Sequence, residues 1–94
     1  MANENEEVTT QDFQPLVNML ETLSEDTSIP KNVRFSIIKA KNRLAEKEKD
    51  ANTVLTGAIH ALEEIVNDIN MPMHGRTTVW NLLSELEILK ERTL

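Results

Sequence analysis

Sliding the chain along itself by 42 positions lays Leu62, Glu63, Asp68, Pro72, Arg76 and Leu86 on the identical residues Leu20, Glu21, Asp26, Pro30, Arg34 and Leu44. Other apolar positions match in kind: Phe13 with Leu55, Val17 with Ile59, Leu23 with Ile65, Ile29 with Met71 and Ile37 with Val79. Within each copy the apolar residues fall at spacings of three and four, break at an Asp and a Pro, and resume with an Arg one turn later. That pattern reads as helix, tight turn, helix. Residues 13–46 and 55–88 are thus two copies of one helical pair, and the expected fold is all-α: a four-helix bundle built from two repeated αα-hairpins. A period near 42 residues also suits a short helical solenoid, the second architecture the pattern allows.

A chain of 94 residues is too short for two independent cores, so residues 9–94 are expected to form one domain. Residues 1–8 are acidic, lack the apolar stretch of a leader, and read as a disordered tail. No cysteine is present, which excludes a disulfide framework, a thiolate nucleophile and the usual structural zinc site. No apolar run approaches the roughly 18 residues that a membrane span needs. A reducing cytoplasm is the expected compartment.

The formal charge is −6, and it is unevenly spread. Residues 31–49 hold seven basic and two acidic residues, for +5; the remainder holds three basic and fourteen acidic residues, for −11. A basic bar on an acidic body is expected.

Taken in order, Thr9 or Thr10 offers a cap to helix 1, and Pro15 points to a start near Phe13. Phe13, Leu16, Val17, Leu20 and Leu23 make its stripe. Ser28 is placed to cap helix 2, with Pro30 in the first turn. Val33, Ile37, Ala40 and Leu44 form that helix's stripe, and its end is expected near Lys49. Asp50 or Asn52 caps helix 3, whose apolar face runs from Val54 to Ile69. Asn70 and Pro72 open helix 4, which buries Val79, Leu82, Leu83 and Leu86 and runs towards Arg92.

The repeated Asp26–Pro30–Arg34 and Asp68–Pro72–Arg76 sets have a structural reading. Each carboxylate accepts turn N–H groups, and each guanidinium reaches back across the turn to pair with that carboxylate. The functional reading sets Arg34 or Arg76 against an anion at a helix N-terminus. His74 reads as a surface residue or local hydrogen-bond partner. His60 has no His or Cys one turn on, so neither histidine suggests a metal. No G-x-S-x-G, glycine-rich phosphate loop or His-Glu-x-x-His occurs, and no catalytic residue or cofactor is expected.

Candidate partner-binding residues are those that the core stripes leave out. Phe35 and Ile38 lie roughly opposite helix 2's stripe, so they are core if the helix packs between two neighbours and an apolar exposure if it does not. Met73, His74, Arg76 and Trp80 gather at the start of helix 4, where a thioether, a cation and an indole suit either a bundle plug or a contact surface. Lys39, Arg43 and Lys47 recur at spacing four. They form either a solvated face balanced by acidic helices or a dock for an acidic partner or RNA phosphates. No aromatic residue interleaves with them, which disfavours base stacking.

The stretch Asn67 to Glu87, NDINMPMHGRTTVWNLLSELE, preceded by AIHALEEIV, resembles the small archaeal group numbered 0147 in the uncharacterised-protein-family series. The likeness extends from about Phe13 and includes IPKNVR at Ile29–Arg34. In that family a proline is common at the place of Ile69 and a small residue such as alanine at that of Gly75. The resemblance implies a four-helix bundle and no assigned activity. Two functions are therefore expected: a non-enzymatic protein–protein module, homodimeric or adaptor-like, and, as the alternative, an RNA- or ribosome-associated factor using the basic face of helix 2.

Overall fold

The structure, a computed structural model, describes residues 8, 10–46 and 49–93. The acidic tail lies outside these residues except for Val8, which packs half-buried against the core; Lys47 also lies outside them. Four helices make up the fold: α1 (Thr10–Ser24), α2 (Lys31–Leu44), α3 (Ala51–Glu63) and α4 (Met73–Glu91). No strand occurs among the described residues.

Each helix packs chiefly on the next along the chain, α1 on α2, α2 on α3 and α3 on α4, in a body of 45 × 23 × 18 Å. The core is the set of stripes read from the sequence. Leu20, Val33, Ile37, Ala40, Leu55, Ala58, Leu62, Val79, Leu82 and Leu86 are all fully enclosed. Ile29 and Met71, one in each turn, close the same end of the molecule. Gly75 permits this, since a methyl group there would lie 3.0 Å from Met71 Sδ and 3.3 Å from Ile29 Cδ1. The first turn thus rests on the start of α4.

Helix boundaries depart from the sequence reading in four places. α1 starts at Thr10 and runs through Pro15, which stands exposed in the second turn, where its missing N–H costs the helix one bond. α2 ends at Leu44, five residues before Lys49, because only the small Ala45 and charged residues follow, with no large apolar side chain to hold another turn against the core. α3 ends at Glu63, so Ile69 is not on its apolar face; it sits in the turn, 88% exposed. Ser28 does not cap α2, whose N-cap is Pro30 without a side-chain bond. Asp50 does cap α3: Thr53 N–H donates to Asp50 Oδ1 at 2.8 Å, and that bond holds the carboxyl below its ordinary range.

Candidate functional site

The two turns are built from the same bonds. In the first, Ser28 N–H donates to Asp26 Oδ1 at 2.9 Å and Ile29 N–H donates to Asp26 O at 3.1 Å. In the second, Asn70 N–H donates to Asp68 Oδ1 at 2.8 Å and Met71 N–H donates to Asp68 O at 3.1 Å. Each Asp therefore folds its own turn, as its short side chain allows. Pro30 and Pro72, extended at φ −56° and −62°, then launch α2 and α4.

The arginines depart from the expected pairing. Arg34 Nε donates to Ile29 O at 3.0 Å, and Arg76 Nη2 donates to Asp68 O at 3.1 Å. Both bond the turn's backbone carbonyls instead of the carboxylates, whose Oδ1 atoms already receive turn N–H groups. Arg76 Nε is buried and has no hydrogen-bond partner, so the second corner is less fully satisfied than the first.

His74 has no counterpart at the 42-residue offset, where the chain carries Asn32. Projecting from the first turn of α4, it brings Nε2 to 2.7 Å from Asp26 Oδ2, across from one corner to the other. Ser28 Oγ donates to Asp26 Oδ1 at 2.6 Å. The Ser28 hydroxyl, the His74 ring and the Ser28 amide together hold the Asp26 carboxyl down to about 2. At neutral pH Asp26 only accepts, so His74 Nε2 carries the proton that joins them. Both Ser28 and His74 bond the carboxylate, and Ser28 Oγ stands 3.4 Å from Nε2. Sequence spacing gave no sign of this contact, because it depends on which corners meet. Among the described residues no group of three or more His, Cys, Asp or Glu is placed to hold a metal ion.

Phe35 and Ile38 part company. Phe35 is 60% exposed on the outer side of α2, whereas Ile38 is half-buried. The basic stripe is partly neutralised: Lys39 Nζ lies 3.7 Å from Glu64 Oε1 and Arg43 Nη1 lies 3.4 Å from Glu46 Oε2. Arg43 also lays its stem over Gly57, where an added methyl would sit 3.2 Å from its Cδ. Met73 is exposed.

Trp80 lines a groove of about 570 Å³ between the end of α3 and α4. Val66 and Leu83 form its floor, Trp80 and Ile88 its open walls, and Glu63 and Glu87 stand on its rim. The sequence pointed to Trp80 alone. Ile88 carried a readable signal, being a large apolar residue two turns beyond Trp80 and off the core stripe. A second groove, of about 410 Å³, runs between α1 and α4 beside Asp26 and His74, with Met19 and Leu23 on its α1 side.

Residues 1–89 match the model of an uncharacterised protein family, UPF0147. The chain is similar to the family protein MJ1419 of Methanocaldococcus jannaschii, 42% identical over 72 residues covering 77% of each chain. A Methanosarcina mazei relative is 35% identical over 94% of this chain and 90% of its own. Among solved structures, the protein of unknown function MMP1188 superposes with a TM-score of 0.80 at 36% identity, over 89% of this chain and 96% of that one. A family member from Thermoplasma acidophilum gives 0.79 at 33% identity, over 84% and 93%.

Proposed function

We propose that this chain, which belongs to the uncharacterised archaeal family UPF0147, is a non-enzymatic protein–protein interaction module that engages its partner through the α3–α4 groove. The observation that carries this reading is the exposed pair Trp80 and Ile88 over the apolar floor of Val66 and Leu83. Two large apolar side chains exposed side by side over an apolar floor form the kind of patch that a partner covers. The corner cluster supports the non-enzymatic side of the proposal, since its hydroxyl, carboxylate and imidazole are spent on one another.

The alternative, an RNA- or ribosome-associated factor, draws on the exposed Lys31, Lys39 and Arg43 of α2. It is the weaker reading, because these few cations belong to a chain of formal charge −6, whose acidic surroundings oppose a polyanion. Retrieval of bound macromolecules from the native cell, with the wild type and Trp80→Glu, with and without nuclease, separates the two. Loss of a nuclease-resistant partner with Trp80→Glu is expected. Partners that survive Trp80→Glu but vanish with nuclease would replace this reading by the alternative.

A further inference from the structure

Two exposed apolar features of the chain carry opposite electrostatic frames. On the outer side of α2, Phe35 stands between Lys31 and Lys39, each one turn away and exposed. Along the α3–α4 groove, Trp80 and Ile88 stand 50% and 55% exposed between Glu63 and Glu87. Among the described residues no cation pairs with either glutamate.

Lys31 and Glu63 do not serve their own helices. Lys31 is the first residue of α2, where the helix dipole opposes a cation, and Glu63 is the last residue of α3, where it opposes an anion. The first hairpin, moreover, satisfies the equivalent seam internally: Lys41 Nζ lies 3.6 Å from Glu21 Oε1. At the 42-residue offset Leu83 replaces Lys41 and Glu63 replaces Glu21, so the second hairpin keeps the acid and lacks the base.

We infer that the occupant of the groove is the α2 face of a second copy of this chain, with Phe35 entering beside Trp80 and Ile88 and the lysines at positions 31 and 39 facing Glu63 and Glu87. This deepens the interaction-module reading and rests on it. The contact joins two different surfaces. Made reciprocally it closes a two-fold dimer; made once it leaves a free surface at each end for further copies. The apolar residues supply affinity on losing water, and the charges set register and speed encounter. The Lys39–Glu64 pair, 3.7 Å apart with both side chains more than half exposed, is too weak to withhold Lys39.

Trp80 is the only tryptophan, and the chain has no tyrosine, so intrinsic emission reports the groove directly. The test is sedimentation and Trp80 emission of the full chain over a dilution series at low salt. Mass is expected to rise with concentration, emission to move to shorter wavelength in step with it, and both to weaken as salt screens the charges. K31E/K39E and E63K/E87K should each weaken association by about tenfold or more, and an equal mixture of the two should regain it, since every contact between unlike variants pairs opposite charges. Circular dichroism checks that both variants stay folded; Lys31→Glu and Glu63→Lys each place the charge that the helix end favours. A wild type that remains monomeric with constant emission overturns the inference, and so does association that neither variant weakens or the mixture fails to restore. If a monomeric wild type nevertheless loses its cellular partner with Trp80→Glu, only the second-copy assignment falls. If Trp80→Glu changes nothing in the cell either, the interaction reading falls with it.

Discussion

His74 Nε2 lies 2.7 Å from Asp26 Oδ2, and through that contact the first turn of α4 is tied to the end of α1. These helices are distant in the chain, and no comparable pair was visible in the spacing of residues. The tie has a pH signature. Asp26 has an ordinary value of 3.8 and is held at about 2 in the folded chain. The unfolded form therefore takes up its proton first as the pH drops, and the stability that Asp26 contributes is full above the ordinary value and lost as pH falls through about 2. Thermal melts between neutrality and pH 2 should show Asp26→Asn losing less on acidification than the wild type. Equal losses would mean that the carboxylate is not held as described.

The corner arginines should differ in weight. Arg34 spends its Nε on Ile29 O, whereas Arg76 carries a buried Nε with no partner. Each guanidinium donates one bond to a turn carbonyl, so Arg34→Met is expected to cost about 1 kcal/mol more than Arg76→Met, the penalty of the unsatisfied Arg76 Nε that the second substitution relieves. Chemical denaturation of the two variants reads the difference directly, and an inverted order would contradict the assigned bonds.

The two glycines call for opposite outcomes. At Gly57 a methyl group meets only the flexible stem of Arg43, which can move aside, so Gly57→Ala should stabilise the chain by about 0.5–1 kcal/mol through helix propensity. At Gly75 the neighbours are Met71 and the buried Ile29, and Gly75→Leu should destabilise by about 1–3 kcal/mol through overpacking. Melting temperatures moving in the same direction would refute the packing described at one of the two sites.

Trp80→Ala should leave stability within about 1 kcal/mol of wild type, because half of the indole is already in water. Leu62→Ala, at a fully enclosed site in α3, should cost about 2–5 kcal/mol. Denaturant titration of both separates a residue kept for contact from one kept for packing.

The core was readable in the sequence because burial imposes a period. Phe13, Leu16, Leu20 and Leu23 in α1, and Val33, Ile37, Ala40 and Leu44 in α2, were named from spacing and are buried. Corner chemistry was half readable: the Asp turns follow from the reach of a short carboxylate, but the arginine acceptors, Ile29 O and Asp68 O, are backbone carbonyls that only the folded course of each turn brings within reach. The end of α2 was misplaced because the polar run after Leu44 has good helix formers but nothing to bury. Ile69 was misread because its position continues α3's period, while the chain has already left the helix at Glu63. The groove was mostly hidden, since its walls come from two helices and only Trp80 is conspicuous alone.

The chain-order packing of α1 on α2, α2 on α3 and α3 on α4 bears on how the molecule assembles. Most of its stabilising contacts close short loops, so little entropy is lost before each is made, and folding belongs in the microsecond-to-millisecond range typical of local helical topologies. The middle seam between α2 and α3 is flanked on both sides, whereas α1 and α4 each have one main neighbour. Amide exchange should accordingly be slowest in α2 and α3, with the outer helices opening first like the end rungs of a ladder.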